Sequence, residues 1–436
     1  MSLELLLSSL LTTALMSMAY LCRRSFASVH LVSLGLFCTA LPLLWVLFGV
    51  SPWPASDEAL LFTYGGVALY AGSMFLGSLA LGGRGLVRVT GWLRNMQPKG
   101  RSTRVSILIF LVLWTIRIYK GAAYGIVYSG SGTGTAVEAL PYWLSTLESV
   151  VSLLGGGALV MLSISAVRGG GRWLWIFVVL ELVWVFVSGG RRDVVFLSVV
   201  IAWVAWQARV VRLPTMVAML AIVGMLLYVA TPLFLIVRDY NADYQHQGVP
   251  TFAALKYAIS DGYTHCGIGL RCSDMTKENI ASRGNAMEFT KSVVSAQGNG
   301  YLFLFGAGLL NSLSWAIPSV ILPKPELMTE QFVQSSFGLP LVDDAISVPA
   351  LAYADLGLLG STFAGICVAI FVRLFAQFSL RQSIDLLALS MSYGLARVIW
   401  NIESDPLSYV VLLRDSVLLV LMIKAFVFFR RLKVGR

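Results

Sequence analysis

The chain has 436 residues, of which 57% are apolar and only 12% charged, and its mean hydropathy is +0.79. This composition excludes a water-soluble protein, and apolar runs of about 20 residues recur from end to end, as in a polytopic membrane protein. The runs are continuously apolar instead of alternating, which favours helices over a β-barrel. The fold class predicted is an all-α membrane protein.

The formal net charge of +10 does not indicate a nucleic-acid partner. Basic residues cluster in short segments between apolar runs, at positions where cytoplasmic loops are expected, so the excess follows the positive-inside rule. The largest cluster, residues 84–104, contains six basic residues and no acidic residue. Such clusters also attract anionic membrane lipids weakly.

Eleven transmembrane helices are predicted, and the charges flanking the first one set their direction. Glu4 precedes the first apolar run and Arg23 and Arg24 follow it, the reverse of the charge order in a cleavable signal peptide. The first helix is therefore expected to begin outside, and alternation from there places every basic cluster and the C-terminus inside. The spans are expected near residues 3–22, 30–50, 60–82, 105–128, 143–166, 172–188, 193–210, 214–236, 351–375, 384–401 and 408–428.

One large hydrophilic segment, residues 238–348, is expected outside, and it carries ten acidic and seven basic residues. The chain thus divides into eight helices in residues 1–236, a large extracytoplasmic loop in residues 237–350, and three helices with a short tail in residues 351–436. Within the loop, residues 301–322 are apolar, but Pro318 within this stretch and Pro323 directly after it favour an interfacial or re-entrant segment over a twelfth span. Cys266 and Cys272 also lie in this loop, and they are expected to form a disulfide if that face is oxidising, the alternative being two free thiols.

Motifs of soluble enzymes are absent from the sequence. There is no phosphate-binding P-loop, no dinucleotide glycine fingerprint after a strand, and no metal-spaced set of His and Cys residues. Glycines 155–157 are more typical of close helix packing than of a phosphate site. We therefore expect no cofactor and no metal.

Two adjacent arginines, Arg191 and Arg192, mark the first candidate site. They follow the apolar run 173–187, in a turn that the alternation of spans places outside, where positive charge is scarce. A guanidinium pair between two spans needs a partner, and a phosphate or pyrophosphate suits it. A lipid-linked phosphate substrate is the first hypothesis.

Other charged residues lie within or beside the predicted spans. The cations could stabilise a polyprenyl-pyrophosphate leaving group, while snorkelling or structural ion pairing is the alternative for each of them. A carboxylate could act as the base that activates an acceptor hydroxyl. The additional candidate cations are Arg117, Lys120, Arg238, Arg397 and Arg414; the candidate carboxylates on the outer face are Asp239, Asp261, Asp343, Asp344, Asp355 and Glu403.

Several short motifs resemble those of Wzy-type O-antigen polymerases and O-antigen ligases. The Ser-Gly-Gly-Arg-Arg turn at residues 188–192 resembles their Ser-Gly-x-Arg turn, and residues 317–325 resemble the Ile-Pro-x and Pro-x-(Lys/Arg)-Pro stretch of the polymerases' periplasmic loop. Tyr353, Gly357 and Gly360 resemble the Tyr-x-x-(Phe/Leu)-Gly-x-x-Gly motif that begins the next span, and Arg397 resembles the arginine of a late span. The resemblance covers roughly residues 170–436.

The resemblance implies a membrane-embedded glycosyltransferase of the GT-C-like class in the bacterial inner membrane. Such an enzyme transfers a growing glycan from undecaprenyl pyrophosphate to the next lipid-linked repeat unit at the periplasmic face, without a nucleotide sugar or metal. A Wzz-type chain-length regulator is the implied partner. Two alternatives stay open: an O-antigen ligase, whose periplasmic histidine motif has no clear counterpart here, and a lipid-linked oligosaccharide flippase.

Overall fold

A computed structural model describes residues 3–40, 55–82, 84–96, 100–124, 141–169, 171–187, 191–207, 211–247, 249, 251–267, 270–272, 286–317, 322–340, 346–382, 384–402 and 405–434. Most of the residues in these ranges are helical and none forms a β-strand, which confirms the predicted all-α fold. Helices suit a membrane segment because they satisfy their own backbone hydrogen bonds.

The described α-helices are named here in chain order. They are α1 (Leu3–Leu21), α2 (Ala27–Leu34, continued by a π-turn Gly35–Thr39), α3 (Asp57–Ala80), α4 (Gly85–Asn95), α5 (Gly100–Tyr124), α6 (Tyr142–Val167), α7 (Trp175–Val187), α8 (Arg191–Gln207), α9 (Leu213–His246), α10 (Thr251–Cys266), α11 (Ala286–Gly298), α12 (Ala307–Ala316), α13 (Thr329–Ser336), α14 (Val348–Leu380), α15 (Asp385–Trp400) and α16 (Pro406–Val434).

Seven of these helices, α1, α3, α5, α6, α9, α14 and α16, are long and apolar enough to cross a membrane. Four further predicted spans correspond to shorter helices: α2, α7, α8 and α15. At about 1.5 Å per residue, a helix of 13 to 17 residues is about 20–25 Å long, short of a hydrocarbon core of about 30 Å. The structure therefore establishes a helical membrane protein, and the count of eleven spans stays a prediction.

The chain forms two compact units, each made of three separate segments of the sequence. The first contains residues 1–88, 277–380 and 395–414, and the second contains residues 89–276, 381–394 and 415–436. This division does not follow the three predicted segments, which were defined by membrane topology and are not tested by it.

In the first unit, α3 and α14 run side by side in the same direction. Gly66 lies against the Tyr353 ring and Gly77 against Ala369, so residues later in α3 meet residues later in α14. Helix α11 of the large loop packs where both helices begin, in an apolar cluster that includes Ala59 and Phe289. This arrangement agrees with the predicted alternation, in which α3 and α14 both start on the face that carries the loop.

In the second unit, α6 packs closely against α5 and against the start of α15. A Cβ atom built on Gly155 would lie 2.5 Å from Leu113, and one built on Gly157 would lie 2.6 Å from the Ser390 backbone. Such distances leave no room for a side chain, so the glycine cluster permits close helix contact, as the sequence indicated.

The apolar stretch at residues 301–322 contains no spanning helix in its described part. Its helix, α12, has ten residues and is about 15 Å long, half of what a bilayer requires. An extended stretch before α12 lies beside a break in α14, where Leu356 and Gly357 leave helical geometry. This is consistent with the predicted interfacial or re-entrant segment.

Candidate functional site

Arg117 and Lys120, predicted as substrate-binding cations, each have a carboxylate partner in the second unit. The Arg117 guanidinium contacts both Glu181 carboxylate oxygens, at 2.6 and 3.0 Å, and lies 5.7 Å from the centre of the Trp184 ring. Lys120 Nζ donates to Glu148 at 2.9 Å. The four charged side chains are 11–22% exposed. These contacts favour the structural ion pairs that the sequence left as the alternative.

The remaining predicted cations have different surroundings. Arg191 and Arg192 form the first turn of α8, and Arg238 lies on α9, but the side chains of these three are outside the described part of the structure. Arg397 is exposed on α15 and Arg414 is half-buried on α16, and neither is without an interaction partner. Arg397 and Arg414 belong to the first unit, and the other three belong to the second.

Asp355, a candidate base, caps the N-terminus of α12. Its two carboxylate oxygens accept the backbone N–H groups of Gly308 and Leu309, each at 2.9 Å, and the side chain is buried. A carboxylate at a helix N-terminus satisfies donors that lack partners within the helix and complements the helix dipole. Because both oxygens are engaged, this geometry favours a capping role for Asp355 over that of a base.

The other predicted carboxylates are not brought into this region by the described structure. Asp239 is exposed on α9 in the second unit, and it has an interaction partner of its own. Asp261 accepts a hydrogen bond from the Tyr244 hydroxyl. Glu403, Asp343 and Asp344 lie outside the described residues.

Asp405 is the carboxylate that the structure adds to this region. It precedes α16 and accepts hydrogen bonds from the Ser408 backbone N–H at 3.1 Å and from the hydroxyl of Ser312 on α12 at 3.2 Å. Burial raises the pKa of the Asp405 carboxyl above its usual range, although these hydrogen bonds act in the opposite direction. A half-buried carboxyl with a raised pKa beside polar groups is a candidate for acid–base chemistry.

The C-terminal end of α12 binds the ammonium group of Lys324. Lys324 Nζ donates to the backbone carbonyl groups of Trp315 and Ile317, each at 2.6 Å, and lies 5.5 Å from the centre of the Trp315 ring. No carboxylate of the described residues forms a salt bridge with it. Burial and, to a lesser extent, the charge of Arg414 lower the pKa of the Lys324 ammonium.

Helix α12 therefore collects one set of polar groups in the first unit. Asp355 binds its first turn, Asp405 meets its middle through Ser312, and Lys324, on which the charge of Arg414 acts, lies at its last turn. We call Lys324, Arg414, Asp405 and Ser312 the α12 site. It combines positive charge with a carboxylate and a hydroxyl, which suits a phosphorylated ligand and a proton transfer.

Neither Lys324 nor Asp405 is among the site residues predicted from the sequence. Lys324 lies within residues 317–325, which resemble the Pro-x-(Lys/Arg)-Pro stretch, and its position between two prolines was the available signal. Asp405 directly precedes Pro406, and an Asp before a helix-starting Pro is a recognisable N-cap signature. Neither pattern reveals that the two residues meet the same helix.

A second polar cluster of the first unit was also missed, because its members are far apart in sequence. Lys291 of α11 is 3% exposed and donates to Glu288, at 2.7 Å, and to Glu4 at the start of α1. A buried lysine flanked by two carboxylates fixes the loop helix α11 to the membrane helices. Because Lys291 contacts Glu4, helix α11 of the loop lies beside the N-terminal end of α1.

Cys266 and Cys272 are joined by a disulfide in the structure, with Cα atoms 5.4 Å apart. Together with His265 they are the one group of metal-ligating residue types close enough to share an ion among the described residues. Because the two sulfur atoms are bonded to each other, neither is available as a thiolate ligand.

No family model matches this chain, and no curated protein or solved structure matches it.

Proposed function

We propose that this chain is a membrane glycosyltransferase that polymerises lipid-linked oligosaccharide repeat units, as a Wzy-type enzyme of the GT-C-like class. It would act in the bacterial inner membrane, on the periplasmic face, with undecaprenyl-pyrophosphate-linked glycans as both donor and acceptor. A Wzz-type chain-length regulator would be its partner. The motif resemblance between residues 188 and 397 and the helical membrane fold support this proposal.

The observation that carries the proposal is Lys324, which is held at the end of α12 by two backbone carbonyl groups and has no salt bridge to a carboxylate of the described residues. A partly buried cation of this kind is stabilised by an anionic group. A pyrophosphate is such a group. The same helix is flanked by the loop motifs that resemble the polymerases, so the charge and the resemblance coincide in one region of the first unit.

The chemistry follows from the leaving group. When the glycosidic bond to pyrophosphate breaks, negative charge develops on the phosphate oxygen, and positioned cations stabilise it without a protonating acid. The acceptor sugar hydroxyl loses its proton as the new bond forms. We assign this proton to Asp405, because its Oδ1 caps α16 while its Oδ2 contacts a hydroxyl, whereas both oxygens of Asp355 are held by backbone N–H groups. The sequence-based prediction that Arg191, Arg192 and Arg397 are pyrophosphate-binding residues is kept in this proposal, while Arg117 and Lys120 hold helices together.

An O-antigen ligase and a flippase are the alternative functions. The lipopolysaccharide of a strain lacking this chain separates them. Loss of a polymerase leaves lipid A–core carrying one repeat unit, whereas loss of a ligase or a flippase leaves core carrying none. Complementation with the wild-type gene is the control, and core without any repeat unit would overturn the polymerase proposal.

A further inference from the structure

We propose that residues 301–305 of the large loop are inserted into the bilayer boundary, as a lipid-contacting element separate from the spanning helices. The occupant of this apolar surface is the membrane itself. The inference goes beyond the proposed function, because it concerns how the loop is held and does not depend on the glycan chemistry.

One face of α14 is apolar and exposed. Five apolar side chains with helical spacing lie on one face of this helix and are exposed in the isolated chain: Leu359, Phe363, Ile366, Ile370 and Leu374, at 80, 63, 41, 42 and 60%. An exposed apolar stripe along a helix long enough to span a bilayer is the surface that lipid covers.

The stripe does not end at the break in α14. Leu356, at the break, is 46% exposed, and the adjoining loop segment presents Leu302 at 79% and Phe305 at 73%. The segment lies directly against the break, because the N–H groups of Leu304 and Phe305 donate to the carbonyls of Ala354 and Asp355 at 3.1 and 2.9 Å. One apolar surface therefore continues from the spanning helix onto the loop.

These backbone contacts meet a requirement that a bilayer imposes. At the break, carbonyl groups of α14 lose their partners within the helix, and unsatisfied carbonyls are costly within a membrane. The loop segment supplies the missing N–H donors, so both backbones are satisfied where they meet. Gly357 permits the close approach, since a Cβ atom at this position would lie 2.9 Å from the Phe303 ring.

The dimensions place this junction at the edge of the hydrocarbon core. Between Gly357 and Leu380 a helix is about 35 Å long at about 1.5 Å per residue, slightly more than a core of about 30 Å. With Arg381 at one boundary, the break lies at the other. Tyr and Trp are enriched at this depth, and the segment begins with Tyr301.

Phe305 adds an independent observation. Its φ of 49° lies in the left-handed region that bulky residues rarely adopt, and its ring is nevertheless exposed. In water, a strained backbone that exposes a large apolar ring costs free energy without any compensation. In a bilayer the same conformation places the ring among the acyl chains.

The test uses an environment-sensitive fluorophore (NBD) on Leu302→Cys or Phe305→Cys, each in a Cys367→Ser background and reconstituted into phosphatidylcholine vesicles. Cys367 is replaced because it is the exposed free cysteine of the described residues, whereas Cys22 and Cys38 are buried. Lipids with a nitroxide near the headgroup should quench both labels several-fold more than aqueous iodide does. Glu326→Cys, exposed on the same loop, should show the opposite order, and Ile370→Cys should respond to a deep nitroxide.

Labels at 302 and 305 that follow Glu326→Cys, with strong iodide quenching and none from nitroxide lipid, would overturn the proposal. Monodisperse elution shows that each variant is folded. If the Phe305 variant does not fold because of its backbone geometry, Leu302→Cys alone decides the matter, since residue 302 has no such strain.

Discussion

Arg117 and Glu181 form a bidentate ion pair between α5 and α7, with both guanidinium–carboxylate contacts between 2.6 and 3.0 Å. The side chains are 13 and 11% exposed, so neither charge is well hydrated. This ion pair joins two helices. Because Glu181 compensates the charge of Arg117 within a predicted span, no ligand is needed to explain that charge.

The pair predicts opposite results for single and double substitutions. Arg117→Ala or Glu181→Ala leaves a partly buried charge without its partner and should lower stability by about 3–5 kcal/mol, whereas Arg117→Met with Glu181→Leu should be close to wild type. Thermal unfolding in detergent, followed by size-exclusion fluorescence, measures this. If Arg117 bound substrate instead, its single variant would stay folded but lose polymer, and the double variant would not recover it.

Asp355→Asn and Asp355→Ala distinguish a helix cap from a base. As a cap, Asp355→Asn keeps one acceptor and should lose little activity, while Asp355→Ala removes two charge-assisted hydrogen bonds, each worth about 1.5–3 kcal/mol, and should destabilise the protein. Thermal stability and the O-antigen ladder are measured together. A stable Asp355→Asn protein that makes no polymer would show that the carboxylate takes part in the reaction.

The cations of the α12 site should matter more than surface cations. Lys324→Ala and Arg414→Ala should each cost about 3–4 kcal/mol of transition-state stabilisation, roughly a hundred- to thousand-fold in rate, and abolish the ladder. Lys324→Arg should retain part of the activity because it keeps the charge. The exposed Lys256→Ala is the matched control and should have little effect. Near-normal ladders from both alanine variants would exclude a pyrophosphate role for this site.

The sequence-based hypothesis about Arg191, Arg192 and Arg397 is tested in the same assay. If they bind pyrophosphate, each Ala variant should abolish polymer while the protein remains folded and inserted, and Lys should rescue only in part because it lacks the bidentate fork. Solvated ion pairs would cost about 1 kcal/mol or less and leave the ladder intact. Normal ladders from all three variants at equal expression would identify these arginines as structural.

Asp405 should make stability depend on pH. Because burial raises its pKa in the folded state, the folded protein binds this proton more tightly than the unfolded chain does. Its stabilising contribution is therefore present below the ordinary carboxyl pKa of about 3.9 and is lost as pH rises through the raised value. The apparent Tm of wild type minus that of Asp405→Asn should fall over this window. A difference that does not change with pH would contradict the prediction.

The sequence by itself determined the class of the protein and the position of most helices. Long apolar runs force the backbone to satisfy its own hydrogen bonds, so ten predicted spans coincide with described helices and the described part of the second, 30–40, is helical as well. The local sequence also predicted the packing role of glycines 155–157, because small residues in a helix indicate close contact with another helix, whichever helix that is.

Only the tertiary structure decided which charges are engaged. Glu181 lies 64 residues from Arg117 and Glu4 lies 287 residues from Lys291, and no local pattern specifies such pairs. The same holds for α12, where Asp355, Asp405 and Lys324 come from three separate segments to meet one short helix. A charge in a membrane protein takes its role from the partner that compensates it, and that partner is set by how distant helices pack.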